Sequence, residues 1–410
     1  DGNDNSYGKV VVGTYSSELG VITFGTPVTF NSASTLWIAT TYNPDYNKVI
    51  ICYQNGGNSA YGTAIVGTVS GSTITFGSPT VFETGDARYI TATYDTANYK
   101  VVIAYRDANN SNYGTAVVGT NVGNAISFGT PVLFESATTN YCSIAYDSNS
   151  GKVVIAYQDG GNSSYGTAIV GTVAGTSISF GTPVAFNTAN TEHIAITYDS
   201  TNQKVVIAHK DSGGNNYGQV KVGTVSGSSI SFGSPVLFLS SIPEYIAITY
   251  DSTNNKVVIA CRDDADPSDA GKVVEGTVSG TSITFSSPTV FNSDQVTYIS
   301  PAFDSTRGKV NIAFRDYEGS AYRGIVVDYT CANLSTNLTS TNFLGFSDGA
   351  YTNGQTAKIQ IAGSVDDAQN GLTPGTQYYV QNDGSLSSSA GSPSVLAGTA
   401  ISSTKIIVRK

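Results

Sequence analysis

Residues 193–238 read HIAITYDSTNQKVVIAHKDSGGNNYGQVKVGTVSGSSISFGSPVLF. Four short apolar runs stand in that stretch: a (193–199), b (204–211), c (217–225) and d (229–238). They are rich in Val, Ile, Thr, Tyr and Phe, and clusters of Gly, Asn, Asp and Ser separate them. That pattern predicts strands joined by turns. No part of the chain sustains a 3.6-residue apolar period, so almost no helix is expected. Proline recurs in run d, as in FGSPV. It cannot donate to a ladder, which places d on the outer edge of a sheet.

The stretch repeats. Its ITFG/ISFG phenylalanine recurs as Phe24, Phe76, Phe128, Phe180, Phe232 and Phe285, in steps of 52, 52, 52, 52 and 53 residues. The aromatic of TYD keeps the same period at Tyr42, Tyr94, Tyr146, Tyr198, Tyr250 and Phe303. Four-stranded antiparallel units of this size, repeated about six times, predict an all-β six-bladed β-propeller built of about 52-residue repeats. The chain opens with runs c and d and closes with a, b and c. The N-terminal d strand is therefore expected to complete a sheet begun by the C-terminal strands, removing exposed edges. The opening DGNDNSYGKV matches DGGNSSYGTA at 159–168, so the sequence is expected to begin inside a b–c loop.

Composition narrows the class. Of 410 residues, 40% are hydrophobic and 12% charged, too apolar for intrinsic disorder. No run approaches the 18 apolar residues a spanning helix needs, so no membrane insertion is expected. A formal charge of −10 argues against a nucleic-acid partner, which calls for clustered Lys and Arg. Cys52, Cys142, Cys261 and Cys331 show no C-x-x-C spacing, so neither a zinc site nor a dense disulfide framework is expected.

The period stops near Cys331. The propeller is assigned to 1–331, a polar linker to 332–342 (ANLSTNLTSTN), and a small β-sandwich-like domain to 343–410. Within the last, TAKIQIAG, QYYVQ, VLAGTAIS and KIIVRK read as strands. Gly-Leu-Thr-Pro-Gly (371–375) and Asn-Asp-Gly (382–384) read as turns. Here a resemblance enters. GLTPGTQYYVQNDGSLSS followed by AGTAISSTKIIV resembles a small β module of bacteriophage tail-fibre and other virion surface proteins, over about the last 68 residues. It implies a virion-surface or extracellular location, contact with other virion proteins and, by analogy with fibres, a homo-oligomer.

Strict alternation of strands puts the d–a and b–c loops on one face. The d–a loops vary between repeats (ETGDAR, NTANTE, LSSIPE, NSDQVT), which marks this as the binding face. Two rings of residues are expected there. Trp37, Tyr89, Tyr141, His193, Tyr245 and Tyr298 recur at the top of run a, where rings could stack on sugar faces or simply plug between blades. At the end of run b stand Gln54-Asn55, Arg106-Asp107, Gln158-Asp159, Lys210-Asp211, Arg262-Asp263 and Arg315-Asp316. Each pairs a long donor with a short acceptor, suited either to vicinal hydroxyls of a glycan or to an Asx turn under a solvated side chain. Asp95, Asp147, Asp199, Asp251 and Asp304, after run a, are expected to close Asx turns on the other face. The lysines opening run b are expected to be solvated strand-end charges.

A sialidase-like site would want three arginines, a tyrosine nucleophile and S-x-D-x-G-x-x-W turns. Arg106, Arg262 and Arg315 fall on different repeats, but the turn motif is missing. Acids on the variable face (Glu83, Asp86, Glu135, Glu192, Glu244, Asp294) could supply a glycosidase pair only by coincidence of spacing. With two histidines, no Ser-His-Asp or His-metal constellation is readable. The expectation is a non-enzymatic phage fibre component, without cofactor or metal, presenting a propeller to a host cell-surface glycan. Its alternatives are a secreted bacterial adhesin or lectin and a sialidase-like glycan hydrolase.

Overall fold

The computed structural model describes residues 6–16, 21–318, 321–331, 345–347, 359–380, 386–390 and 395–409. The chain divides into two compact units, Asp1–Cys331 and Ala332–Lys410. Every regular element among the described residues is a strand.

The third repeat shows how the first unit is built. The 16-residue strand Val132–Asp147 serves two sheets. Its first part pairs with Tyr113–Val122 of the preceding sheet, and its second part, 139–147, pairs with Lys152–Asp159 of its own. Lys152–Asp159 then pairs with Tyr165–Ala174. The outer edge comes in two pieces, because run d breaks at Gly-Thr-Pro (181–183). Ser177–Phe180 covers one half of Tyr165–Ala174, and the start of Val184–Asp199 covers the other. Proline thus sits at the interruption in the outer edge, where no ladder bond is lost.

Apolar residues alternate along each inner strand and face the neighbouring sheets on either side. Val154, Ala156, Ala168 and Val170 of sheet 3 pack on Ile194, Ile196, Val205, Ile207 and Ile230 of sheet 4. The buried cysteines are part of this packing, and Cys52 and Cys261 are fully covered. Burial pushes the Cys52 and Cys261 thiols up to about 12, so they stay protonated and unreactive.

The turn aspartates behave as the repeat predicts. Asp95 Oδ1 accepts the backbone N–H groups of Ala97 and Asn98 at 3.0 and 3.0 Å, and Asp199 and Asp251 repeat the arrangement. The lysines opening run b are not merely solvated: Lys48, Lys152 and Lys256 donate to Thr68, Thr172 and Thr277 at 2.7, 2.9 and 2.6 Å.

One glycine shows how tightly successive sheets dock. A Cβ on Gly77 would lie 1.9 Å from the carbonyl oxygen of Asn124, in the c–d turn of the next sheet. Gly129, Gly181 and Gly233 are held in the same way. The repeat has serine here once, Ser286 in sheet 5. Sheet 6 consists of 295–304, Lys309–Glu318 and Ala321–Tyr329, and among the described residues it has no c–d turn to press on that position.

The ends of the array depart from expectation. The N-terminal d strand does not pair with Ala321–Tyr329. Instead, Val21–Phe24 pairs with Gly13–Ser16, and the start of Val28–Asn43 pairs with Tyr7–Val10, giving a two-stranded c–d ribbon. The reason is local: a c strand and its own d strand are joined by a short turn, whereas pairing across the chain ends must offset a far larger loop closure. The ribbon stacks face to face at both ends. A Cβ on Gly25 would lie 2.0 Å from Ser72 O, the same contact that sheets 1 to 4 make with their successors. On its other face, the Arg307 guanidinium of sheet 6 lies 4.3 Å from the centre of the Tyr15 ring.

In the second unit, Val365–Asp366, Ile406–Val408, Leu396–Ala400, Gln377–Val380 and Leu386–Ser387 form one antiparallel sheet in that order. Leu372, Tyr378, Val380, Val395, Ala397, Ala400, Ile406 and Val408 make its core. Gly345–Ser347 and Ile359–Ile361 form a separate pair. The expected linker at 332–342 and the Asn-Asp-Gly turn at 382–384 lie outside the described residues.

Candidate functional site

Each inner strand carries the same irregularity. In sheet 1, Leu36 faces Gln54 and Ala39 faces Cys52, so Trp37 and Ile38 together oppose the single residue Tyr53. This is a β-bulge, which re-aims a side chain at a local cost in pairing. It recurs at Arg88/Thr91, Asn140/Ser143, Glu192/Ala195, Glu244/Ala247 and Thr297/Ser300. At every bulge the aromatic or histidine has positive φ: Trp37 48°, Tyr89 50°, Tyr141 50°, His193 49°, Tyr245 51° and Tyr298 54°. That region costs a residue with a Cβ roughly 1–2 kcal/mol, and glycine would avoid the cost. Six large rings hold it instead. In sheets 2, 4, 5 and 6 the next residue turns into the core: Ile90, Ile194, Ile246 and Ile299.

The rings line up. Centroid distances run 4.4 Å from Trp37 to Tyr89, 5.6 to Tyr141, 5.3 to His193, 6.0 to Tyr245 and 5.5 to Tyr298. Such tilted pairs contribute about 0.5–1.5 kcal/mol each beyond area burial. No ring contact among the described residues joins Tyr298 back to Trp37. Both ends of the row are exposed, Tyr298 by 67% and Trp37 by 38%.

The structure merges the two expected rings into one layer. Arg106 lies over Tyr89 at 4.8 Å, Arg262 over Tyr245 at 5.0 Å and Arg315 over Tyr298 at 4.7 Å. The long donors also reach the following sheet. Gln54 donates to Asp86 at 2.6 Å, Arg106 to Asn140, Gln158 to Asn190 at 3.0 Å and Lys210 to Glu244 at 2.9 Å. They are stitches between sheets as well as rim groups.

Their acidic neighbours turn the other way. Asp107 Oδ1 accepts the N–H groups of Asn109 and Asn110 at 3.1 and 3.1 Å, and Asp159 accepts that of Gly161 at 2.9 Å. Asp263 accepts the Ala265 N–H at 3.2 Å and pairs with Lys272. Asp211 and Asp316 accept Asn187 and Asn292 side-chain amides at 3.1 and 3.0 Å. Asp107, Asp159, Asp263 and Asp316 are buried, and their oxygens are used within the loops.

Two places on the rim differ from the rest. Between sheets 1 and 2, a cavity of about 340 Å³ is lined by Leu36, Trp37, Gln54, Ala60, Asp86 and Arg88. Arg88 clasps Asp86 there, its Nε 2.9 Å from Oδ2. The second place is centred on His193. The Tyr245 N–H donates to His193 Nδ1 at 3.2 Å, which leaves the ring proton on Nε2, 3.2 Å from Glu244 Oε2. Lys210 Nζ bridges Glu192 at 3.1 Å and Glu244 at 2.9 Å. Burial holds His193 below its ordinary value, the Glu244 charge notwithstanding. Burial opposes the charged forms of Glu192 and Glu244. The Ser212 hydroxyl and Lys210 outweigh it at Glu192, and Lys210, His193 and Arg262 at Glu244, so both carboxyls sit below the usual range.

Sequence reasoning missed Arg88, Asn140 and the bridging of Lys210 between two glutamates. Each comes from one repeat alone, so the period could not flag it. The bulge had a signal: Trp-Ile, Tyr-Ile and His-Ile place two apolar residues side by side where a half-buried strand should alternate.

No protein-family model matches the chain, nor does any curated protein sequence. Solved structures do share its fold. The BP39L lectin of Burkholderia pseudomallei aligns with a TM-score of 0.50 at 12% identity, over 80% of this chain and 97% of that one. The periplasmic gluconolactonase PpgL of Pseudomonas aeruginosa aligns with a TM-score of 0.53 at 11% identity, over 79% and 96%. The first unit therefore has an all-β, propeller-type fold. The expectation of a non-enzymatic protein is corrected by the second likeness: the same fold carries an enzyme, and absence of catalysis does not follow from it. Neither likeness is to a phage fibre protein.

Proposed function

We propose that the rim of the first unit binds carbohydrate, with Trp37 and the adjoining cavity as its primary subsite. In this reading the six sheets are the propeller's six blades, the sixth without an outer strand among the described residues, and the remaining rings and donors, from Tyr89 and Arg106 to Tyr298 and Arg315, extend the surface. The observation that carries the proposal is the cavity of about 340 Å³, where an exposed indole meets the side chains of Gln54, Asp86 and Arg88. A flat aromatic face takes the C–H face of a sugar, while a carboxylate, an amide and a guanidinium take its hydroxyls. The lectin with the same fold supports sugar binding as a use of this architecture. The setting we propose is an extracellular or virion surface, by the resemblance of residues 371–407, with a host glycan as ligand and a homo-oligomeric assembly.

Glycan-array screening followed by titration tests this. Trp37→Ala is expected to weaken the best ligand at least tenfold, about 1.4 kcal/mol, with the fold retained and the melting temperature lowered only by the few degrees that loss of the Tyr89 contact implies. Equal affinity in a folded variant sinks the proposal. Because a gluconolactonase shares the fold, the bound sugars and their lactones are followed for product, with Glu192→Gln and Glu244→Gln as variants.

A further inference from the structure

Just before each bulge, strands a and b set one pair of residues directly opposite each other on the same face of the sheet. From sheet 1 to sheet 6 the pairs are Leu36–Gln54, Arg88–Arg106, Asn140–Gln158, Glu192–Lys210, Glu244–Arg262 and Thr297–Arg315. In sheets 4 and 5 the charges are opposite, and in sheets 1, 3 and 6 at least one member is uncharged. Sheet 2 alone sets two cations face to face, an arrangement that costs stability.

The chain does not balance this pair. Arg88 is clasped by Asp86, and the Oδ1 of Asp86 also accepts Gln54 at 2.6 Å. Asp107 follows Arg106 on the strand, but its Oδ1 holds the N–H groups of Asn109 and Asn110. Among the described residues no carboxylate forms an ion pair with Arg106. Its Nη1 donates to the neutral amide of Asn140, its Nε is buried with no acceptor, and its Nη2 is neither bonded nor buried. Sheet 4 shows what the same place can hold. There Lys210, the counterpart of Arg106, lies 3.1 Å from Glu192 and 2.9 Å from Glu244. Glu192 is the counterpart of Arg88, and Glu244 that of Asn140. Sheet 2 has the cation and neither carboxylate.

This place adjoins the sugar subsite. Tyr89 joins the two, with the Trp37 ring at 4.4 Å and the Arg106 guanidinium at 4.8 Å, and Arg88 lines the cavity beside Trp37. A guanidinium fork matches the two oxygens of a carboxylate. We infer that the rim selects acidic sugars: the carboxylate of a uronic- or sialic-acid residue enters between Arg88 and Arg106 and supplies the charge that Glu192 supplies in sheet 4. The inference rests on the Trp37 reading and names the class of its ligand. The chain as a whole carries a formal charge of −10 and repels such glycans, so the selection comes from this pair of arginines and not from the general surface.

The test is calorimetric titration of the full chain with oligosaccharides ending in glucuronic acid or sialic acid, and with the same compounds after reduction of the carboxyl to an alcohol. An acid form is expected to bind roughly tenfold or more tighter than its reduced form, with the gap narrowing as salt rises. Arg106→Gln introduces the side chain that sheets 1 and 3 already carry at this place, so the melting temperature is expected to hold. It is expected to erase the gap and leave the affinity of the reduced form unchanged. Lys204→Gln, which removes a charge at the far end of strand b in sheet 4, is expected to leave the gap intact. Three results would overturn the inference: acid forms that bind no better than reduced ones; a gap that survives Arg106→Gln; or a sulfate ester of the reduced sugar that binds as tightly and depends on Arg106 to the same degree, which would make the place a general anion site. None of these touches the Trp37 reading, which falls only if Trp37→Ala leaves sugar binding as it was or if no glycan binds at all.

Discussion

Sheets 1 and 3 are built from nearly the same words and live in different surroundings. Sheet 3 has a full neighbour on each face, and its Cys142 and Tyr146 pack partly buried against the core. Sheet 1 has a full neighbour on one face and only a two-stranded ribbon on the other, and its Ile38 and Tyr42 face solvent. The repeat thus specifies a strand and its alternation, while the neighbour decides what that alternation is worth. The same isoleucine is a core residue in one sheet and a surface residue in another.

The largest expected effect tests docking between sheets. Gly129→Ala puts a methyl group 1.9 Å from Thr176 O, and neither backbone can yield cheaply. We expect a loss of about 3 kcal/mol or more, visible as a fall in the denaturant midpoint. Ser286→Ala, at the matching position without a facing turn, should stay within about 0.5–1 kcal/mol. Equal losses would mean that the glycine serves its own strand and not the joint.

Next comes the isoleucine pair. Ile90→Ala should cost about 2–4 kcal/mol through lost burial and a residual cavity. Ile38→Ala should cost about 0.5 kcal/mol or less. If Ile38→Ala matches Ile90→Ala in the full chain, something already covers sheet 1.

A smaller effect separates sheets 3 and 4. In sheet 3, the buried Tyr157 hydroxyl donates to Glu135 at 3.0 Å. In sheet 4 the same place holds His209, fully buried, with neither ring nitrogen partnered. Burial, with Lys221 adding to it, holds that imidazole down at about 3. A depressed folded-state value means the native state resists protonation. The stability linked to His209 is present above about pH 6.5 and is lost as pH falls toward 3. His209→Phe should therefore gain about 1 kcal/mol at pH 7, and its margin over wild type should widen down to pH 4. A margin that shrinks on acidification contradicts the assignment.

Much of this was legible in the sequence because it recurs. Period, strand order, the edge prolines and the Asx turns each appear many times, and repetition averages away local accidents. The rings at 37, 89, 141, 193, 245 and 298 were legible as positions, but their backbone was not. A bulge is a relation between two strands, and a single run shows only two adjacent apolar residues. The pairing of the N-terminal d strand was misread for a related reason. Counting strands tells how many are present, but the competition between a nearby partner and a distant one is decided by chain closure. The Glu192–Lys210–Glu244 bridge occurs once, and a singular feature leaves no period to find.

The bulge has one further consequence. Because it turns one residue outward and hands the core to the next, rim and scaffold are written in separate letters. Trp, Tyr and His already interchange at that site in a single chain, each with φ near 50° and with isoleucine or cysteine behind it. Each ring position can thus change while the residue behind it keeps its place in the sheet, at a cost limited to the contacts with the adjoining rings, about 0.5–1.5 kcal/mol each.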